Sequence, residues 1–165
     1  MTPRALPFFV LIVSLAVIGG AFFFQYVVGL VPCELCLKER LPWYGAIVLA
    51  VLQIILHPPA LRRPMACLFA VLFLASGLFG LYHVGVERHI IAGPTVCTGG
   101  SALAGLSLKD ATTALFATQP VRCDEVQWSF VGVSLAGWNA FISFILAALA
   151  VVAALRPTRS GRLFR

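Results

Sequence analysis

Ionisable side chains are scarce in this chain. Of its 165 residues 61% are hydrophobic and 11% charged, and only six are acidic: Glu34, Glu39, Glu87, Asp110, Asp124 and Glu125. A soluble domain carries about 25% charged residues, so the polar surface is too small to cover a water-soluble globule, and the chain reads as a membrane protein. Internal repeats, low-complexity tracts and a separable soluble domain are all missing. So are the ligation patterns of haem and iron–sulfur clusters, which removes both as electron carriers. The apolar runs are continuous rather than alternating, which excludes a transmembrane barrel and leaves helices as the spanning elements.

Four stretches are apolar enough to span, at about 6–30, 41–56, 65–86 and 131–155. A hydrocarbon core of roughly 30 Å needs about 20 apolar residues, so the second is short and is expected to draw on residues near Arg40. The expected fold is an all-α, four-helix membrane bundle forming a single domain, with external loops at about 31–40 and 87–130. Pro42 could open the second helix as an N1 proline, which would leave Arg40 in the loop.

The few charges orient the bundle. With the N-terminus inside, Arg4, Arg62, Arg63, Arg156, Arg159, Arg162 and Arg165 lie on the cytoplasmic side, and Lys38, Arg40, Arg88, Lys109 and Arg122 outside. All six acids then fall outside and none inside. The positive-inside rule therefore puts both termini and the loop at 57–64 in the cytoplasm. The net charge of +6 is explained by this topology and needs no nucleic acid. Gly19-Gly20-Ala21 offers small residues for signal cleavage, but the first apolar run exceeds a signal-peptide core and is read as an uncleaved span.

Against this background the stretch PCELC stands out. Cys33 and Cys36 lie in the first external loop, Cys97 and Cys123 in the second, and Cys67 near the inner start of the third span. Four of the five thiols thus face the side where disulfides persist, whereas Cys67 reads as packing. Cys97 and Cys123 could form a staple, closing a loop in a way that stabilises by about 3–4 kcal/mol. Cys33 and Cys36 enclose too little chain for that, and Cys-x-x-Cys disulfides are commonly labile and exchange-competent. A four-cysteine zinc site is disfavoured by the wide split of the second pair and by an oxidising compartment; no metal is expected.

Two exposed pairs suggest a relay that moves two electrons by thiol–disulfide exchange. A lipid-soluble acceptor at the membrane surface, a quinone, would then take them up. Arg40, four positions after Cys36, would share a helical face with it and could donate to a quinone oxygen; the plainer reading is an interfacial anchor or a partner for Glu39. Polar residues inside spans are functional candidates by default, which singles out His83 and Gln25, although either could merely hydrogen-bond within the bundle. Lys38 and Arg40 are expected to favour a thiolate at Cys36, and Glu34 and Glu39 to oppose it. The stretch between Cys97 and Cys123 could form a short amphipathic surface helix, with Gly99, Gly100 and Pro120 punctuating its ends.

FFFQY, PCELCLKER, YHVGVE, GPTVC and RCDEVQWSFVGVSLAGWNA together resemble the disulfide bond formation protein B (DsbB-like) family over essentially the whole chain. In that family, quinone-linked membrane oxidants keep the bacterial periplasm oxidising, a property of the family rather than a deduction from these residues. The resemblance implies an inner-membrane protein with its redox cysteines in the periplasm. Cys97, partnered by Cys123, would form the mixed disulfide with a soluble thioredoxin-like (DsbA-like) oxidase. Cys33 and Cys36 would be the pair reoxidised by ubiquinone or menaquinone, with Cys36 beside the ring, and Arg40 and His83 near it. Departures from the family pattern are Pro42 and the extra Cys67. The rival reading is a non-catalytic membrane assembly protein with four structural cysteines.

Overall fold

The computed structural model describes residues 5–56, 59–94 and 122–156. Among the described residues there are four α-helices, α1 (Leu6–Tyr26), α2 (Glu34–Leu56), α3 (Arg62–Glu87) and α4 (Leu135–Leu155), with a 3₁₀ turn at Pro59–Leu61 before α3. Each is long and apolar enough to cross a membrane. The fold is thus the expected four-helix membrane protein.

The boundaries differ from the expected ones in an instructive way. α2 starts at Glu34 rather than near residue 41, so most of the expected first external loop is helical and Arg40 lies on the helix. Pro42 sits inside α2 instead of opening it. It removes one helical hydrogen bond, a loss that packed membrane helices tolerate. The helix can begin early because Cys33 caps it: the Cys33 carbonyl accepts from the Leu37 amide at 3.1 Å, and its sulfur accepts from the Cys36 amide at 3.2 Å, the bond an N-cap side chain makes. The first span ends at Tyr26, short of residue 30.

The fourth span begins at Leu135 rather than 131, because Ser129–Phe130 (β1) and Val133–Ser134 (β2) pair as an antiparallel hairpin. Its two-residue turn places Val131 at φ 52° and Gly132 at φ 76°. Positive φ at both positions is what a tight hairpin of this twist requires, and a β-branched residue is strained there. Ser134 then caps α4, accepting from the Gly137 amide at 3.2 Å, and donates its hydroxyl to Glu87 at the end of α3.

α3 packs most extensively against α4, and α1 against α2. Apart from Leu146, the buried positions on α4 are small, and Ala136, Ala140, Ser143, Ala147, Ala150 and Ala154 recur every three or four residues. On α3, Ser76, Gly77 and Gly80 are buried and meet α4. A methyl group on Gly80 would lie 3.0 Å from the Ala140 Cβ and 3.2 Å from the Ala136 carbonyl oxygen, so the backbones approach as small residues allow in lipid. Ser76 and Ser143 hydrogen-bond across this seam at 3.1 Å. Trp43 of α2 is buried against Phe73, ring centroids 5.3 Å apart, and ties α2 to α4 by donating to Asn139 Oδ1 at 2.7 Å.

Candidate redox site

The end of the bundle where α2 starts and α3 ends gathers a second buried cluster. Cys33, Leu35, Val86 and Cys123 form its centre, with Cys36, Phe79 and Tyr82 packed around them. Cys33 and Cys36 are free thiols whose sulfurs lie 2.7 Å apart, a short movement from the roughly 2.05 Å of a disulfide. Cys123 is disulfide-bonded and 1% exposed, so a member of the second external pair touches the cluster that holds the first. Cys97 and the expected amphipathic helix lie outside the described residues. Cys67 is an exposed free thiol on α3, far in sequence from this cluster.

Local structure sets the reactivity of Cys33. Its sulfur caps the N-terminus of α2, where unpaired amides and the helix dipole favour negative charge. The bond to Cys36 and then that to His83 hold the Cys33 thiol down at about 5 against an ordinary 9.0, outweighing the burial that pushes it up. The expected cations act elsewhere. Lys38 Nζ pairs with Glu34 Oε1 at 2.7 Å, and Arg40 Nη1 donates to Gln25 Oε1 at 2.7 Å with its Cζ 5.4 Å from the Phe22 ring centre. Neither has a sulfur as its partner, so the Cys33 thiolate rests on the bond to Cys36, on His83 and on the helix terminus.

His83 is 2% exposed and faces Cys33, with Nε2 3.6 Å from the sulfur. Its other nitrogen, Nδ1, lies 2.6 Å from Glu39 Oε1. The Sγ atoms of Cys33 and Cys36 and a ring nitrogen of His83 all fall within 4.8 Å of one another. A tetrahedral zinc would hold two sulfurs about 3.8 Å apart. The two sulfurs, 2.7 Å apart, are closer together than that.

Beside the thiols, a cavity of about 480 Å³ runs between α1, α2 and α4. On α1 its lining extends from Ile12 to Gln25, about 20 Å of helix at 1.5 Å per residue. The walls are chiefly apolar, and polar groups collect at one end: Gln25, Cys36, Glu39, Arg40 and Asn139. Of the two thiols Cys36 lines the cavity and Cys33 does not. Arg40 and Gln25, both singled out in the sequence, meet there. His83, expected in the same place, sits behind the wall with Cys33 and is not among the lining residues.

The cavity is apolar along its length and ends in a guanidinium, an amide and a thiol. It can seat a flat ring bearing carbonyl oxygens, with a hydrocarbon tail along α1. Gln25 Oε1 accepts from Arg40, and Gln25 is itself a lining residue, so its amide adds a second donor to this end of the cavity.

A model of the family described as "Disulfide bond formation protein DsbB" matches residues 3–153. The chain belongs to the DsbB family. Among its relatives, disulfide bond formation protein B 2 of Pseudomonas entomophila is 32% identical over 84% of this chain and 83% of its own length. Disulfide bond formation protein B of Aromatoleum aromaticum is 29% identical over 90% of each chain. The uncharacterized protein RP370 of Rickettsia prowazekii is 25% identical over 81% of this chain and 77% of its own. No solved structure matches. As a DsbB-family member the chain is a multi-pass membrane protein of disulfide bond formation, a thiol oxidoreductase.

Three residues of the site escaped the sequence reading: Glu39 as a partner of His83, and Asn139 and Trp43 behind it. Asn139 is a polar residue within a span, the signal that singles out His83 and Gln25, whereas Glu39 falls in the expected external loop and only the early start of α2 brings it onto a helix. Glu39 was weighed only as a charge near Cys36 or Arg40, because nothing in the sequence shows which helix faces it.

Proposed function

We propose that this protein sits in the bacterial inner membrane with its termini in the cytoplasm and its redox cysteines in the periplasm, reoxidises a periplasmic DsbA-like dithiol oxidase, and passes the electrons to ubiquinone or menaquinone. The observation that carries this reading is the position of Cys36, beside Cys33 on one side and lining the Arg40–Gln25 end of an apolar cavity on the other. In the proposed cycle Cys97 exchanges with the partner, the Cys97–Cys123 pair exchanges with Cys33–Cys36, and Cys36 faces the acceptor. The burial of Cys123 against Cys33 favours direct exchange between the pairs. Quinone supplies the two-electron sink when bound; the chain supplies a cavity that excludes water, donors from Arg40 and Gln25, and the dithiol.

The test is to mix purified protein, a reduced DsbA-like partner and a soluble quinone, and to follow quinone loss in the ultraviolet together with oxidation of the partner. Equal molar loss of quinone and of partner dithiol is expected. Oxidation that proceeds at the same rate without quinone would refute the acceptor, and no oxidation with any quinone would refute the function.

A further inference from the structure

One hydrogen-bond chain crosses the bundle just behind the thiols, and its direction can be read from the chemistry of its members. Trp43 begins it. An indole N–H only donates, so its 2.7 Å bond identifies the Asn139 atom it meets as the carbonyl oxygen. The Asn139 amide NH₂ is thereby turned to Glu39 Oε2, at 2.9 Å. Glu39 accepts there, and its other oxygen meets His83 Nδ1 at 2.6 Å. A carboxylate accepts at both oxygens, so Nδ1 carries the hydrogen, and the lone pair of a neutral imidazole is left at Nε2. That nitrogen faces Cys33 Sγ at 3.6 Å.

We propose that His83 is the base that takes the Cys33 proton, and that Glu39, Asn139 and Trp43 are positioning residues that hold its ring in the accepting tautomer. The proposal rests on the thiol-oxidase reading and deepens it. In the step, the S–H bond of Cys33 breaks, an N–H bond forms at His83 Nε2, and the electron pair stays on sulfur. No oxidant is consumed. In the reduced pair Cys33 is then held as the thiolate that re-forms the Cys33–Cys36 disulfide as the electrons pass to the acceptor of the proposed cycle, while Cys36 lines the cavity.

Other charges around this chain are few. α2 brings Cys36, Glu39 and Arg40, the last turned to Gln25 and Phe22. From α3 comes Glu87, which interacts electrostatically with His83, Glu39 and Cys33 while bonded to Ser134. The polar residues that α1, β2 and α4 bring to this region, Gln25, Ser134 and Asn139, are neutral. Glu39 is therefore the one carboxylate bonded to His83 among the described residues, and Glu87 tests whether a nearby negative charge alone is enough.

The experiment uses the reduced full-length protein in detergent, without quinone or partner, and measures site-resolved alkylation of Cys33 against pH by mass spectrometry. Wild type should react with a midpoint near 5. Glu39→Gln offers one acceptor where two are needed, by His83 and by Asn139, and should raise the midpoint by about one unit or more, a tenfold loss of thiolate below it. The double variant Glu39→Gln with Asn139→Asp restores both acceptors by moving the charge one residue along the chain, and should recover most of the shift. Glu87→Gln should move it less than Glu39→Gln does.

An unchanged midpoint in folded Glu39→Gln protein, or a double variant no better than the single one, would overturn the proposal. Should Glu39→Gln not fold, His83→Gln carries the test, and an unchanged midpoint there refutes it equally. Labelling of Cys67, exposed and distant, serves as the internal reference for rate. Because no acceptor is present, this result is independent of whether quinone proves to be the oxidant.

Discussion

Two buried clusters divide the bundle, and they are built by different rules. The larger joins Leu6, Val10, Trp43, Ala46, Ala50, Phe69, Phe73, Leu146 and Ala150, contributed by all four helices. Its members recur at three- and four-residue spacing, and the contacts are apolar or between small residues. The smaller joins Cys33, Leu35, Val86 and Cys123, drawn from a helix cap, a helix start, a helix end and a loop. In the larger cluster, many interchangeable contacts hold helices together. In the smaller, single atoms at defined distances set the chemistry, so one changed side chain can remove function and leave the fold.

The largest effect should come from Cys36, which belongs to the smaller cluster and the cavity alike. Cys36→Ser is expected to bring quinone consumption to the level without protein, while thermal unfolding in detergent stays within about 0.5 kcal/mol of wild type, as for substitutions that disturb no packing. A matching loss of stability would mean that the two clusters are not separable. The converse break is Gly80→Val. The added methyl groups meet the α4 backbone at Ala136 and Ala140, and overpacking of this kind costs about 1–3 kcal/mol. A lower unfolding temperature is expected, with the alkylation midpoint of Cys33 unmoved in the molecules that remain folded.

Arg40 comes next. Loss of a charge-assisted hydrogen bond costs about 1.5–3 kcal/mol, so Arg40→Ala should raise the quinone KM or lower turnover by roughly 10- to 150-fold. Arg40→Lys should recover only part, since a point charge cannot both hold Gln25 and stack on Phe22 as the planar guanidinium does. Single-turnover exchange with the soluble partner should stay unchanged, and a slowed exchange would show that Arg40 also serves the thiols. The smallest effect is assigned to Ser76→Ala on the α3–α4 seam. Hydrogen bonds between membrane helices average about 0.6 kcal/mol, so a slight fall in stability and full activity are expected. A large fall would make polar contacts as decisive in the larger cluster as in the smaller.

Much of the larger cluster was legible in the residues. Apolar runs of spanning length announced four helices, and the Ala136, Ala140, Ser143, Ala147 pattern of α4 carries the seam in its spacing. The start of α2 was not legible, because Pro42 offered a plausible helix opening and a cysteine is a rare cap; only the Cys36 amide bonded to Cys33 shows it. Of the site, Cys36, Arg40 and Gln25 were found from local rules and do meet. His83 was found as well, but its neighbours come from positions 33 and 39, some fifty and forty-four residues away, and no local pattern joins them.

The linear pattern of apolar residues alone decided that this chain lives in a bilayer and which four segments can cross it, because those properties depend on the transfer of whole segments out of water. The tertiary structure alone decided which polar groups share a hydrogen bond. Inside an apolar bundle each buried donor must find an acceptor, and helix rotation and depth determine which one is within 3 Å. That is why Glu39 answers to His83 and Asn139 rather than to Arg40, its neighbour in the chain.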